Sequence, residues 1–496
     1  IGYGGFGGGG GGSRQGTSTG GFGAGAGGHG RYGDAGGGGL GAGGSVFVQQ
    51  GGTLTIGAGS LSGGSVAAGL AGVGNFSGAN GSAFGSGIFV QGNQTITFAP
   101  AGGQALVISD VITDQSGSDP TNIYNDPGHG AVEINGPGTV VLSAANTYTG
   151  GTTIDSGTLE LDNGGSIIGD VADNGAFVLN HSGATIFGSV VSGTGSFQLV
   201  GTGTTVFIAG QTYTGGTFIS AGNLQLAFGD TLAAGGNLDL GNGTLNLAGN
   251  DQTLGDLTGF GVLTLGGGTL TIGTADSTAF AGNISGPGAL VKTGSGVLTL
   301  TGKDTYSGNT TVNAGTLELG DGGSLSSSQI VDNATFALGY STSVDWTTLI
   351  SGTGAFLQAG TGKTIFTTDQ TYTGGTTIGG TGGGILQLGN GGTSGSIVGD
   401  VTDNGGFAFD RSDVFTFAGT ISGIGSLLQL GSGTTILTAD ETFTGATTIS
   451  SGTLQLGDGG TSGALLGFVL DNGVLAADRS DQLTIINFIA GTGAFE

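Results

Sequence analysis

The chain has 496 residues, 121 of them glycine, with no cysteine and a formal net charge of −26. Seven basic residues against 33 acidic ones exclude nucleic-acid binding and attraction to anionic lipid as main functions. No disulfide contributes, and 36% hydrophobic and 8% charged composition excludes a deep core, leaving a thin repeat solenoid whose turns consume glycine.

Residues 1–44 hold 25 glycines, interrupted by Tyr3, Phe6, Phe22 and Tyr32. This stretch reads either as a Gly-rich extension of the solenoid or as a flexible linker. Residues 45–135 read as divergent N-terminal rungs. Short alternating runs at Ser45–Gln49, Thr53–Ile56, Gly87–Gln91, Thr95–Phe98 and Ala105–Ile108 are strands too small to bury a face alone. Between 110 and 130 the pattern breaks. Asp110, Asp114, Asp119, Asp126, Pro120, Pro127, Tyr124 and His129 predict a loop projecting from the solenoid wall.

Residues 136–496 repeat. The landmark Thr305-Tyr306-Ser307-Gly308 recurs around Tyr148, Tyr213, Tyr372 and Phe443, and Gly315-Thr316-Leu317-Glu318-Leu319 recurs at Gly157 and Gly452. A second landmark, Asp173-Asn174, returns at Asp332, Asp403 and Asp471. Repetition at fixed intervals identifies a solenoid before any local feature does. Residues 237–282 interrupt the landmarks and read as extra short strands. No helix is expected, because the runs are short and glycine is frequent. Three strands per turn predict rungs of roughly 20–25 residues, each rising about 4.8 Å.

The stretch Gly286–Gly320 resembles the passenger-associated repeat of bacterial autotransporters. Gly286, Gly288, Leu290, Lys292, Gly294, Gly296, Leu298 and Leu300 occupy the first part of that pattern, and Thr305, Tyr306, Gly308 and Thr310 the second. Asp304 stands where the family usually has Asn. Shorter matches cover about Gly136–Glu496. The resemblance implies an all-β, right-handed parallel β-helix solenoid, exported through the protein's own C-terminal outer-membrane barrel. That barrel is not in this chain, which stops mid-repeat at Glu496. The absence of Met at Ile1 and of a signal peptide fits a processed or partial chain. No run reaches the ~20 apolar residues of a membrane helix, so no direct membrane insertion of this segment is expected.

The function so implied is an exported structural stalk, at the bacterial outer-membrane surface or released, serving adhesion or filament and biofilm assembly. Beside the barrel, its partners would be further copies of itself or glycans of a host or other surface. Two alternatives stand beside it: a self-assembling surface-layer or filament subunit, and a β-helical polysaccharide-active enzyme.

The residues themselves assign no catalytic, cofactor-binding or metal site, and no cofactor. His29, His129 and His181 lie in unlike contexts. Gly16-Thr17-Ser18-Thr19-Gly20 lacks the strand and helix that a nucleophile elbow needs. Asp410-Arg411-Ser412-Asp413, repeated at Asp478-Arg479-Ser480-Asp481, is the nearest pair of carboxylates to a glycosidase dyad, and reads better as a turn with a local ion pair. Gly320-Asp321-Gly322-Gly323 and Gly457-Asp458-Gly459-Gly460 superficially resemble calcium-binding repeats, but lack the nonapeptide period. Turns needing positive φ explain them. Threonine pairs such as Thr53/Thr55 and Thr269/Thr271 are too irregular for a flat ice-binding face and follow from β-propensity. The recurring aromatics are expected to pack against a turn, one per repeat.

Overall fold

The computed structural model describes residues 6–11, 18–29, 35–118, 128–227, 229, 231–273, 275–379, 383–482 and 488–496. Tyr3, Tyr32, Gly16, Thr17, Asp119, Pro120, Tyr124, Asp126 and Pro127 lie outside the described residues. The fold is an all-β parallel β-helix, and its only helix among the described residues is the four-residue Gln115–Ser118. Two compact units divide the chain, residues 1–236 and 237–496.

In the second unit, ten strands from Leu238–Leu240 to Ile421–Gly423 form one parallel ladder. Leu298, Leu317, Phe336 and Phe356 lie side by side in it, so successive rungs take 19, 19 and 20 residues. This is the short end of the length expected from the sequence. Alternation sorts the side chains: Leu298, Leu300, Leu317, Leu319, Phe336 and Leu338 point inward and are fully buried. Thr299, Glu318 and Ala337 share the opposite face. Each buried aliphatic contributes on the order of 1.5–3 kcal/mol, and parallel stacking multiplies that small core along the axis. The stretch 237–282 consists of ordinary rungs, with Leu238 beside Leu257 and Gly259 beside Phe280.

In the first unit the regular rungs have the same length, Phe177 lying beside Phe197 and Phe197 beside Thr217. The earlier turns are longer, with Leu54 beside Ile96 and Ile96 beside Val132. Part of the expected projecting loop is wall instead of loop. Ile112–Asp114 is a strand paired with Ile88–Val90. Asp114 is fully buried and accepts bonds from the backbone N–H groups of Gly117, Gly130 and Thr149 at 2.6, 2.8 and 2.6 Å. Asp110 accepts from the N–H groups of Gly63 and Gly64. Carboxylates that read as loop signals are anchors for backbone that has no strand partner.

The glycine-rich N-terminal residues are held by backbone bonds between extended segments that form almost no sheet. Gly10 N–H donates to Gly25 O, Gly25 N–H to Gly38 O, and Gly37 N–H to Gly10 O, at 2.7–2.9 Å. Gly38 N–H donates instead to Ala79 O, so adjacent residues bond to different neighbouring segments. A Cβ on Gly25 would lie 1.7 Å from Ala79 O, and only glycine permits this approach. Phe6 stacks on Phe22 at 5.3 Å and reaches Phe89 at 6.0 Å, while Phe89 stacks on Phe47 at 5.6 Å. These rings fasten the segment to the outer face of the first rungs.

The four turn glycines singled out by their Asn/Asp-Gly context, Gly164, Gly322, Gly391 and Gly459, all have positive φ, between 76° and 90°. Replacing Gly322 with Val is expected to cost about 1–3 kcal/mol, confined to adjacent rungs because coupling is nearest-neighbour. Hydrogen exchange should quicken around Leu300–Tyr340 and stay unchanged at Thr453–Leu456. Loss of protection throughout the unit would contradict this.

Candidate functional site

Among the described residues, the polar groups of the solenoid gather in recurring positions between rungs. The aromatic landmark is the first of these positions. Tyr148, Tyr213, Tyr306 and Tyr372 are buried, and each shares a hydroxyl–hydroxyl bond of 2.6–2.7 Å with the threonine four residues on: Thr152, Thr217, Thr310 and Thr376. Burial pushes all four phenols above their ordinary pKa. Phe443 fills the same place without a hydroxyl, and the buried Thr447 Oγ1 has no partner.

The Asp-Asn landmark is the second. Asp173, Asp332, Asp403 and Asp471 are buried and accept the N–H two residues on, from Gly175, Ala334, Gly405 and Gly473, at 2.9–3.0 Å. Their carbonyls accept from the next rung, from Gly195, Gly354, Gly425 and Gly493, at 2.7–2.9 Å. A Cβ on Gly425 would sit 2.3 Å from the Asp403 carboxyl, which explains the Gly-x-Gly that follows each Asp-Asn by one rung. Burial raises the pKa of Asp173, Asp332 and Asp403 to about 6. Such groups hold protons more tightly when folded. Their contribution is complete below the unfolded value of 3.8 and is lost as pH rises to about 6.

The third position closes the corner loops. His181, Tyr340, Arg411 and Arg479 lie at or just past the ends of equivalent strands in four repeats. Tyr340 Oη donates to Gly323 O at 2.8 Å. Arg411 is buried and donates to Gly395 O at 3.0 Å and to Thr393 O, while Nε and Nη2 donate to both Asp413 oxygens at 3.0 and 2.8 Å. Arg479 repeats this with Gly463, Thr461 and Asp481. The guanidinium holds Asp413 below the usual carboxylate range. Asp410 accepts from Gln387 Nε2 at 3.1 Å. The repeated tetrapeptide is thus a turn with a local ion pair whose arginine plugs a loop.

A fourth position was not legible as buried. Lys292 is fully buried, as are Gln358 and Gln429 at the matching place in later repeats. Lys292 Nζ donates to the carbonyls of Thr293, Gly294 and Ala314. Gln358 Nε2 donates to Gly360 and Gly362, and Gln429 Nε2 to Gly431. Burial lowers the Lys292 pKa. The recurrence of a long donor two residues before a Gly-x-Gly was the available signal.

The remaining candidates are dispersed. His129 is exposed and its Nδ1 contacts Thr149 Oγ1 at 2.7 Å, while His29 is exposed on the glycine-rich segment. The Ser18 hydroxyl donates to Gly11 O within that segment. In the Asp-Gly turn, Asp321 accepts Ser341 N–H from the next rung at 2.7 Å, the bond of a turn cap. No helix among the described residues is long and apolar enough to cross a membrane. Surface hollows of about 340, 390 and 460 Å³ contain at most one carboxylate each, Asp345 in the first and Asp170 in the second.

Residues 135–161, 200–226, 290–319 and 427–456 match the passenger-associated transport repeat. These repeats, set in a parallel β-helix, support a passenger domain of an autotransporter. It is similar to the adhesin BmaC autotransporter of Brucella suis biovar 1 (strain 1330), 30% identical over 505 aligned residues. The alignment covers 72% of this chain and 14% of that protein, so the chain spans only a fraction of its relative's length. No solved structure matches the chain.

Removing the hydroxyl from Tyr306 with Tyr306→Phe should lower stability by about 1 kcal/mol, the worth of one buried hydrogen bond. Phe443→Tyr should do the reverse by giving Thr447 its missing partner. Denaturant titration of both variants checks this, and equal signs for the two would refute the pairing.

Proposed function

We propose that this stretch is the stalk of an autotransporter adhesin, carried to the outer-membrane surface by a C-terminal barrel outside the chain and holding an adhesive surface away from the cell. The observation that carries this reading is that the buried polar residues recur by repeat and join one rung to the next. The tyrosine hydroxyls are taken up by threonines, and the Asp-Asn keys and arginine plugs by the backbone, leaving little chemistry for a soluble substrate. Exposed carboxylates then form a solvated acidic coat, which keeps the chain soluble. The name of the Brucella suis relative, an adhesin, supports the same reading.

A polysaccharide-active enzyme is the weaker reading. Glycoside cleavage needs two facing carboxylates, one of them with a raised pKa. Asp413 is held low by Arg411, and the acids held high, such as Asp403, are sealed in the core. Changing Asp410 and Asp413 together to Asn should therefore leave adhesion to a coated surface within a few-fold of wild type, because Arg411 keeps its bonds to the Gly395 and Thr393 carbonyls. Incubation with acidic and neutral polysaccharides should give no shortening of the glycan. Cleavage by the wild type, lost in the double variant by a factor of about 100 or more, would overturn the proposal.

A further inference from the structure

One position in the repeat is an amide in three repeats and an acid in two. It lies two residues before the landmark aromatic and is filled by Asn146, Gln211, Asp304, Gln370 and Glu441. All five are buried, and all five accept the N–H of a residue one rung earlier. Asn146 takes Ile112, Gln211 takes Val191 and Gln370 takes Ile350, at 2.9, 2.7 and 2.7 Å. Asp304 takes Ile284 at 2.7 Å, and Glu441 takes Ile421.

The second atom of the head group separates the two kinds. In the amides it is a nitrogen, which donates to the carbonyl two residues before it. Asn146 Nδ2 donates to Ala144 O at 2.8 Å, Gln211 Nε2 to Ala209 O at 2.7 Å, and Gln370 Nε2 to Thr368 O at 2.9 Å. In the acids it is an oxygen, Asp304 Oδ2 or Glu441 Oε1, buried and without a hydrogen-bond partner. A carboxylate cannot donate, whereas a neutral carboxylic acid carries one O–H.

We propose that Asp304 and Glu441 are proton-operated joints of the solenoid. Each occupies an amide slot as a neutral acid, its O–H donating to Gly302 O or Ala439 O, and its ionisation weakens the contact with the earlier rung at Ile284 or Ile421. Ionised, the group would keep its bond to the earlier N–H but set a buried, unpartnered anion oxygen where the amides place a donor.

The surroundings agree. The Asp304 pKa is raised to about 7, burial being the dominant cause and the Ile284 N–H opposing it. Its strand neighbours, Asn283–Ser285 and Ser324–Leu325, bring no charge, Lys303 beside it is exposed, and the phenol of Tyr306 is the titratable group nearest in sequence on the buried side. The Glu441 pKa is raised to about 8, by burial first, with Asp440 and Asp400 adding to it. Asp440 is itself paired with Arg479 at 3.6 Å. Because the folded pKa values are raised, each joint contributes fully below the unfolded value, about 4, and loses its contribution as pH rises to about 7 at Asp304 and about 8 at Glu441. The amide-filled joints do not titrate.

Hydrogen exchange on the full 496-residue chain tests this, with the amides of Val191 and Ile350, held by Gln211 and Gln370, as internal references. One proton's difference makes the opening constant rise about tenfold per pH unit. After correction for intrinsic exchange, protection of Ile284 relative to the references should fall about fivefold between about pH 6 and 7, and that of Ile421 about fiftyfold between about pH 6 and 8. Asp304→Asn and Glu441→Gln should each abolish the fall at their own rung and leave the other unchanged. If Ile284 and Ile421 track Val191 and Ile350 across this range, the inference is overturned, and this comparison needs no variant to fold. A fall that persists in the amide variants would also overturn it.

Discussion

Everything in this structure depends on backbone packing closely against backbone, one rung on the next. A parallel ladder satisfies the strand amides, but each corner leaves carbonyls and N–H groups that no strand can pair. The chain meets that demand in two ways. Glycine lets the corner backbone approach a neighbouring rung directly, as at Gly425 over Asp403. Elsewhere a buried polar side chain reaches the corner, as Lys292, Gln358 and Arg411 do. The high glycine content and the scarce but well-placed polar core are therefore two answers to one constraint.

Much of this was legible in the sequence. Tyr306 and its counterparts marked the register, because an aromatic at a fixed place before a glycine has one packing job per rung. The Asp-Gly turns announced positive φ, and the Asp410–Asp413 tetrapeptide announced its ion pair. The inward direction of Lys292 was not legible. It follows Leu290 at the alternation of a core position, yet a lysine there reads as solvent-facing by chemistry. Asp114 misled for a related reason. Aspartate beside prolines and glycines signals a loop, while here it binds three backbone N–H groups inside the wall. The glycine-rich segment was ambiguous in principle, since bonds between bare backbones leave no side-chain pattern to read.

The same economy bears on function. A solenoid that uses its buried polar groups to hold rungs together keeps a simple repeating wall, which can be lengthened by adding repeats without redesigning a core. The matched repeats fit that wall to a passenger, and an adhesive stalk asks of it only length, solubility and a surface to present.

The central claim, that each rung is an interchangeable unit locked only to its neighbours, is tested most directly by removing one whole rung. Thr335 lies beside Ala355 in the ladder, so deleting residues 335–354 joins two positions in the same register. This variant should keep its β-sheet circular dichroism and a cooperative thermal transition. Deleting only residues 335–344, half a rung, sets strands against corners at the cut and should split or lower that transition. Equal damage from the two deletions would show that the rungs are not interchangeable.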